Sequence, residues 1–181
     1  MQFIQVLIYW FNPRFLSDYT TVIGHTIYFT NREYVIHHER QAMKSLAHEM
    51  VHILDAQKSG WFRFALSYLF PQILAIGVLS FPWLGWWALG FLLFLPPWKA
   101  PYRSEYEARA YAIDIINTPF ALREEAIVRI CSMFGEWGYY RMNQDREEVR
   151  LNLDYWVNEA ESGHDPELSR VLLIYEMVVE G

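Results

Sequence analysis

Two histidines stand four residues apart in the segment LAHEMVHILD, residues 46–55, and a glutamate directly follows the first of them. Residues four apart lie on the same face of an α-helix, so His48 and His52 can both direct an imidazole nitrogen at one zinc ion, with Glu49 beside them. Zinc lowers the pKa of a bound water and polarises a substrate carbonyl. A carboxylate at Glu49 can then take the proton of that water and return it to a leaving amine. The spacing therefore predicts a catalytic zinc site.

A short motif can also arise by chance in a chain that contains six histidines. Two observations favour a metal site over that alternative. The apolar residues around the motif recur every three or four positions from about residue 40 to Gly60, which independently predicts a helix. Histidines and a charged glutamate are also poor choices for a purely structural apolar helix.

A catalytic zinc site takes three protein ligands and a water, so the two histidines need a third partner. In one compact arrangement, a glycine and a histidine follow the second motif histidine at distances of three and six residues. Here those positions hold Asp55 and Lys58. The third ligand must therefore come from another part of the chain.

The segment YRSEYEARAYA, residues 102–112, combined with the His-Glu-x-x-His motif, resembles the glutamate zincins, a broad class of metallopeptidases. In that class the third ligand is a glutamate on a later helix, followed three residues on by a small residue. The resemblance implies that Glu105 is the ligand and that Ala108 lets the two helices approach each other. Glu107 is the rival ligand, and the alternative for Glu107 is a solvated charge on the helix surface.

The chain differs from this class at the residue that often orients a ligand histidine. Arg109 stands where the class often has an aspartate for this purpose. Asp55 and Asp114 are the two candidates to replace it. A further candidate for catalysis is Tyr140, which follows the flexible Gly138 and could donate a hydrogen bond to an oxyanion; its alternative is ordinary aromatic packing.

Residues 25–145 are also similar to uncharacterised metallopeptidases of tailed phages and prophages. This resemblance implies a zinc-dependent hydrolase that acts on a peptide or protein substrate. We expect the protein to be membrane-associated, through its apolar segment, or carried in a phage particle. The competing interpretation is a non-enzymatic structural protein, such as a virion component, that keeps a metallopeptidase-like fold. The amino terminus lacks the basic start and the cleavage site of a signal peptide.

Composition narrows the class of protein. The chain has 181 residues, which predicts a single domain over 1–181. The net charge of -6, with 15 Lys and Arg residues, argues against a nucleic-acid partner. Cys131 is the only cysteine, so an internal disulfide is excluded, and its apolar helical setting predicts a buried structural thiol.

The elements that must position the motif are predicted from residue patterns. Residues 3–10 and 22–30 have the β-branched and aromatic composition of strands, and EYVIH, residues 33–37, is a candidate third strand. Helices are expected from Pro119, from Asp145 to Gly163, and from Asp165 onwards. The predicted fold is α+β and zincin-like, with a small amino-terminal sheet followed by a mainly helical body.

The segment 64–98 contains no charged residue and four prolines. It is long enough to cross a bilayer once, since one span needs about 20 apolar residues. A single crossing, however, would separate Glu105 from the two histidines. We therefore expect an inserted apolar hairpin that contacts a membrane or forms an oligomer, with two buried core helices as the alternative.

Overall fold

The structure is a computed structural model that describes residues 21–23, 26–28 and 32–179. Strands in this part of the chain are limited to an antiparallel hairpin of β1 (Thr21–Ile23) and β2 (Thr26–Tyr28). Two strands of three residues are too short to form a layer of the core. The prediction of an α+β fold is therefore wrong, and the described chain is all-α. The predicted strand at residues 3–10 lies outside the described residues.

The predicted third strand at EYVIH is also wrong, because these residues belong to helix α1 (Arg32–His37). A five-residue segment with only three apolar residues does not distinguish a strand from a helical turn by its periodicity alone. The motif helix is confirmed as α2 (Glu39–Ser59). It ends at Gly60, whose φ of 84° is a conformation that glycine adopts without steric cost.

Six further α-helices follow α2 in the described part of the chain. They are α3 (Trp61–Tyr68), α4 (Phe81–Leu84), α5 (Pro101–Ile116), α6 (Arg123–Phe134), α7 (Arg146–Glu161) and α8 (Pro166–Val179). Short 3₁₀ helices occupy Gln72–Ser80, Gly85–Phe94, Phe120–Leu122 and Trp137–Tyr139.

The predicted starts of α7 and α8 are confirmed by their caps. The side chain of Asp145 accepts hydrogen bonds of 3.1 Å from the first-turn amides of α7. Asp165 does the same for α8, at 2.9 and 3.0 Å. These bonds satisfy amides that a helix amino terminus otherwise leaves without a partner. The helix expected from Pro119 instead starts as the 3₁₀ turn Phe120–Leu122 and continues as α6.

Helix α5 lies at the centre of the helical body, where it packs against α2, α6 and α7. Its inward positions include Ala108, Ala110 and Ala112, each fully buried, and these small side chains let the neighbouring helices come close. One core cluster lies between α5, α6 and α7 and includes Phe134 and the buried thiol of Cys131, as predicted. A second core cluster joins α2, α5 and α8.

The apolar segment folds back on itself between α3 and α5. The 3₁₀ helices Gln72–Ser80 and Gly85–Phe94 pack side by side, and α4 forms the turn between them. By length and composition alone, Gln72–Phe94 could cross a membrane, with a mean hydropathy of 1.6. Only 6% of its most apolar window is buried within the protein. We refer to residues 72–94 as the apolar hairpin.

Candidate metal centre

The two motif histidines lie one turn apart on α2 and face α5. Their ring centroids are 5.1 Å apart in an edge-to-face arrangement. The side chains of His48 and His52 are 13% and 10% exposed. The i, i+4 spacing thus places both rings at the interface between the two helices, as the helical geometry of the motif requires.

Glu107 on α5 meets both histidines. One of its carboxylate oxygens lies 3.5 Å from His48 Nε2, and the other lies 3.8 Å from His52 Nε2. One ligand atom from each of the three residues lies within 4.8 Å of the others. Zinc bond lengths of about 2.0–2.1 Å place the ligand atoms of a tetrahedral site about 3.4 Å apart. The three side chains therefore fit a zinc ion with a small inward adjustment.

Glu105, the ligand implied by the resemblance, is exposed to solvent. Residues two apart on a helix point about 200° away from each other, so Glu105 and Glu107 cannot both face α2. The structure brings Glu107 to the histidines and leaves Glu105 on the opposite face. One sequence signal favoured Glu107. The small residues Ser104 and Ala108 stand three residues before and one residue after it, which is the spacing of one helix face, and all three residues are buried in α5.

Asp114 lies two turns after Glu107 on α5 and approaches the other side of His48. Its carboxylate is 3.0 Å from His48 Nδ1. A hydrogen bond at Nδ1 orients the ring and leaves Nε2 directed at Glu107, which is the usual arrangement behind a metal-ligating histidine. Of the two aspartates predicted as candidates, Asp114 makes this contact.

Asp55 has a different partner, since it forms a buried ion pair with Arg109. Arg109 also binds Asp165 at 2.8 Å and Glu167 at 2.7 Å. The arginine that replaces the expected aspartate therefore ties α2 and α5 to the start of α8. Within the described chain, Nδ1 of His52 is buried without a hydrogen-bond partner.

Burial and charge set the protonation states of these side chains. Burial alone would lower the pKa of His48, but hydrogen bonds and charges of Asp114 and Glu107 outweigh it and raise that pKa to about 10. Burial lowers the pKa of His52 to about 4, so this ring is neutral at pH 7, which is the form in which histidine can act as a metal ligand. For Glu107, the effect of burial is outweighed by the two histidines and Tyr68, which together hold its pKa at about 2.

Glu49 is half-buried beside the cluster. Burial, with additional repulsion from Glu107 and Asp114, raises its pKa to about 7 against the opposing charge of His48. A carboxyl group with a pKa near neutrality suits the acceptance and return of a proton at neutral pH. The position of Glu49 next to His48 is consistent with the role predicted from the motif.

Two tyrosines that the sequence patterns did not single out border the cluster. The hydroxyl of Tyr68 donates a hydrogen bond to Glu107, and its ring lies 5.9 Å from that of His52. The ring of Tyr111 lies edge-on to His48 at 4.6 Å. Tyr68 was missed because it lies in the segment 64–98, which was interpreted only by its apolarity.

Tyr140, predicted as a catalytic donor, lies on an exposed turn with a φ of 53°. The guanidinium of Arg103 lies 5.9 Å from the centre of its ring. The same guanidinium lies 5.0 Å from the ring of Tyr68. The hydroxyl that donates to Glu107 belongs to Tyr68, whereas the ring of Tyr140 lies near the guanidinium of Arg103.

No protein-family model, curated protein or solved structure matches this chain.

Proposed function

We propose that this chain is a zinc-dependent peptide hydrolase in which His48, His52 and Glu107 bind the metal. The observation that carries the proposal is the convergence of both Nε2 atoms on one buried carboxylate, at 3.5 and 3.8 Å. Asp114 behind His48 supplies the second partner that ligand histidines usually have. The set of two imidazoles and one carboxylate is typical of catalytic zinc sites that keep a position open for water.

Zinc, when bound, supplies an activated water and polarises the substrate carbonyl. Glu49 takes the proton of the attacking water and later returns it to the leaving amine. Tyr68 holds the carboxylate of Glu107 by its hydroxyl, and Asp114 holds the ring of His48. The buried surroundings strengthen these charge interactions, because they act in a medium of lower polarity than water.

The choice of a peptide substrate rests on the resemblance to the glutamate zincins. The proposed site combines the His-Glu-x-x-His motif of α2 with a glutamate from a later helix, as that class does. Here the glutamate is Glu107, two residues after the position that the resemblance implied. The phage metallopeptidases with similar motifs point to the same reaction class.

The test is the substitution Glu49→Gln, which removes the base and leaves the three ligands in place. We expect the variant to retain zinc and to lose hydrolysis of unfolded casein by about 10²–10⁴-fold, the usual contribution of a general base. Glu39→Gln, an exposed position in the first turn of the same helix, is the matched control and should keep full activity. Unchanged activity in Glu49→Gln would refute the role of Glu49. A zinc-loaded wild-type chain that cleaves no peptide would favour the non-enzymatic structural protein.

A further inference from the structure

The two legs of the apolar hairpin pack through one face each. In a 3₁₀ helix residues three apart share a face. Ala88 is fully buried, and Phe91 and Phe94 follow it at this spacing, with Ala75 buried on the other leg. A Cβ added to Gly77 would lie 2.5 Å from the ring of Phe91, so the legs are in close contact. One of the three faces of each leg is thus occupied within the hairpin.

The remaining faces of the hairpin are apolar and exposed. The tip carries three tryptophans, Trp83, Trp86 and Trp87, which are 83%, 79% and 89% exposed. Trp86 and Trp87 are consecutive and so point about 120° apart in a 3₁₀ helix. Leu92 and Leu93 repeat this pattern further from the tip on the same leg, and both are exposed. Apolar side chains therefore project from the hairpin in several directions.

This distribution decides between two kinds of occupant. A second protein copy would cover one side of the hairpin and leave large side chains of the other side in water, at a cost that grows with the exposed area. A lipid bilayer surrounds an inserted element on all sides. The exposure of apolar side chains in several directions favours the bilayer.

Charge and length agree with a bilayer. No charged residue occurs from Phe64 to Trp98, and the first charged residues before and after this segment, Arg63 and Lys99, are exposed. The legs have 9 and 10 residues, or about 18–20 Å at the 3₁₀ rise of about 2.0 Å per residue. One leaflet contributes about half of the hydrocarbon core of about 30 Å. The hairpin can therefore enter one leaflet without crossing the membrane.

We propose that the apolar hairpin inserts its tip into one leaflet of a phospholipid bilayer, with Trp83, Trp86 and Trp87 as the residues that enter first. Helical backbone satisfies most of its own hydrogen bonds, which hydrocarbon requires of any inserted segment. Tryptophan favours the boundary between headgroups and acyl chains, where its ring is buried and its N–H can still find a partner, so we expect the tip to enter shallowly and to stop below the headgroups. This inference does not depend on the proposed hydrolase activity.

The test uses the full chain with vesicles of phosphatidylcholine, alone and mixed with phosphatidylglycerol. The wild-type protein should float with both kinds of vesicle, and lipids with brominated acyl chains should quench its tryptophan fluorescence. A variant that combines Trp83→Ser, Trp86→Ser and Trp87→Ser should bind vesicles at least about tenfold more weakly than the wild type, because each removed ring is a large apolar contact. Trp137→Ser is the matched control, because Trp137 is 71% exposed and lies outside the hairpin, and it should bind like the wild type.

Two outcomes would overturn the proposal. One is a triple variant, shown to be folded by circular dichroism, that floats and is quenched like the wild type. The other is a wild-type protein that binds neither kind of vesicle. Light scattering identifies the competing occupant, because a dimer that the triple substitution dissociates, without vesicle binding, would assign the hairpin to a second copy of the chain.

Discussion

Replacement of Glu107 by glutamine should remove most of the zinc affinity of the protein. The substitution keeps the size of the side chain but removes the charge that faces both histidines at 3.5 and 3.8 Å. Glu105→Gln makes the same chemical change two residues earlier, on the exposed face of α5. The pair therefore separates the loss of a ligand from a general loss of negative charge.

The magnitude follows from the number of ligands. The loss of a residue that only supports a ligand typically weakens metal binding by about 10–100-fold, so the loss of one of three direct ligands should cost about 100-fold or more. At a free zinc concentration of about 100 times the wild-type Kd, zinc stabilises the folded protein by about 2.7 kcal/mol. In a protein of this size that raises the Tm by about 5–11 °C. With 100-fold weaker binding, the same zinc contributes only about 0.4 kcal/mol, or about 1 °C.

The assay is thermal unfolding of each variant with and without zinc, each compared with its own metal-free Tm, together with a competition titration against a chromophoric chelator. Glu105→Gln should behave like the wild type in both measurements. If Glu107→Gln keeps the wild-type zinc affinity, or if Glu105→Gln loses it, the assignment of the third ligand is refuted.

Two further predictions concern protons and the cap of α8. Because the pKa of His48 is raised to about 10 before zinc binds, zinc must displace a proton from this ring. Calorimetry in buffers of different ionisation enthalpy should therefore detect about one proton released per zinc at neutral pH, and the zinc affinity should rise with pH. The absence of proton release would contradict this prediction. Asp165→Ala should lower the free energy of unfolding by about 1–3 kcal/mol in urea, since it removes the cap of α8 and a partner of Arg109, whereas the exposed Asp154→Ala should cost less than about 0.5 kcal/mol. Burial raises the pKa of Asp165, but hydrogen bonds from the α8 amides and from Arg109 outweigh it and hold that pKa below the ordinary aspartate value. The stabilisation should therefore be present above about pH 3.8 and be lost as the pH falls through the lowered pKa. A difference in stability between wild type and Asp165→Ala that stays constant from neutral pH through the whole acid range would refute it.

The parts of the structure that depend on local patterns could be predicted from the sequence. The helix around His48 and His52, with its end at Gly60, follows from apolar spacing and from the need for a residue at positive φ. The caps at Asp145 and Asp165 follow from the preference for side chains that accept hydrogen bonds from first-turn amides. These features involve residues close together in the chain.

Features that depend on tertiary packing were predicted less well. The choice between Glu105 and Glu107 is decided by which face of α5 packs against α2, and both glutamates lie in a run of mixed polar and small residues. The contact of Tyr68 with Glu107 joins residues 39 positions apart. The region predicted as one strand over residues 22–30 contains two three-residue strands of a hairpin, Thr21–Ile23 and Thr26–Tyr28, and the run at residues 33–37 folds as part of a helix.

Zinc content tests the proposed site most directly. The full chain, expressed with adequate zinc and dialysed against metal-free buffer, should contain about one zinc per chain by mass spectrometry, as expected for a site with three protein ligands. The His48→Ala, His52→Ala double variant should contain almost none. Less than about a tenth of an equivalent in the wild-type protein, or an unchanged zinc content in the double variant, would contradict a zinc centre built on these two histidines.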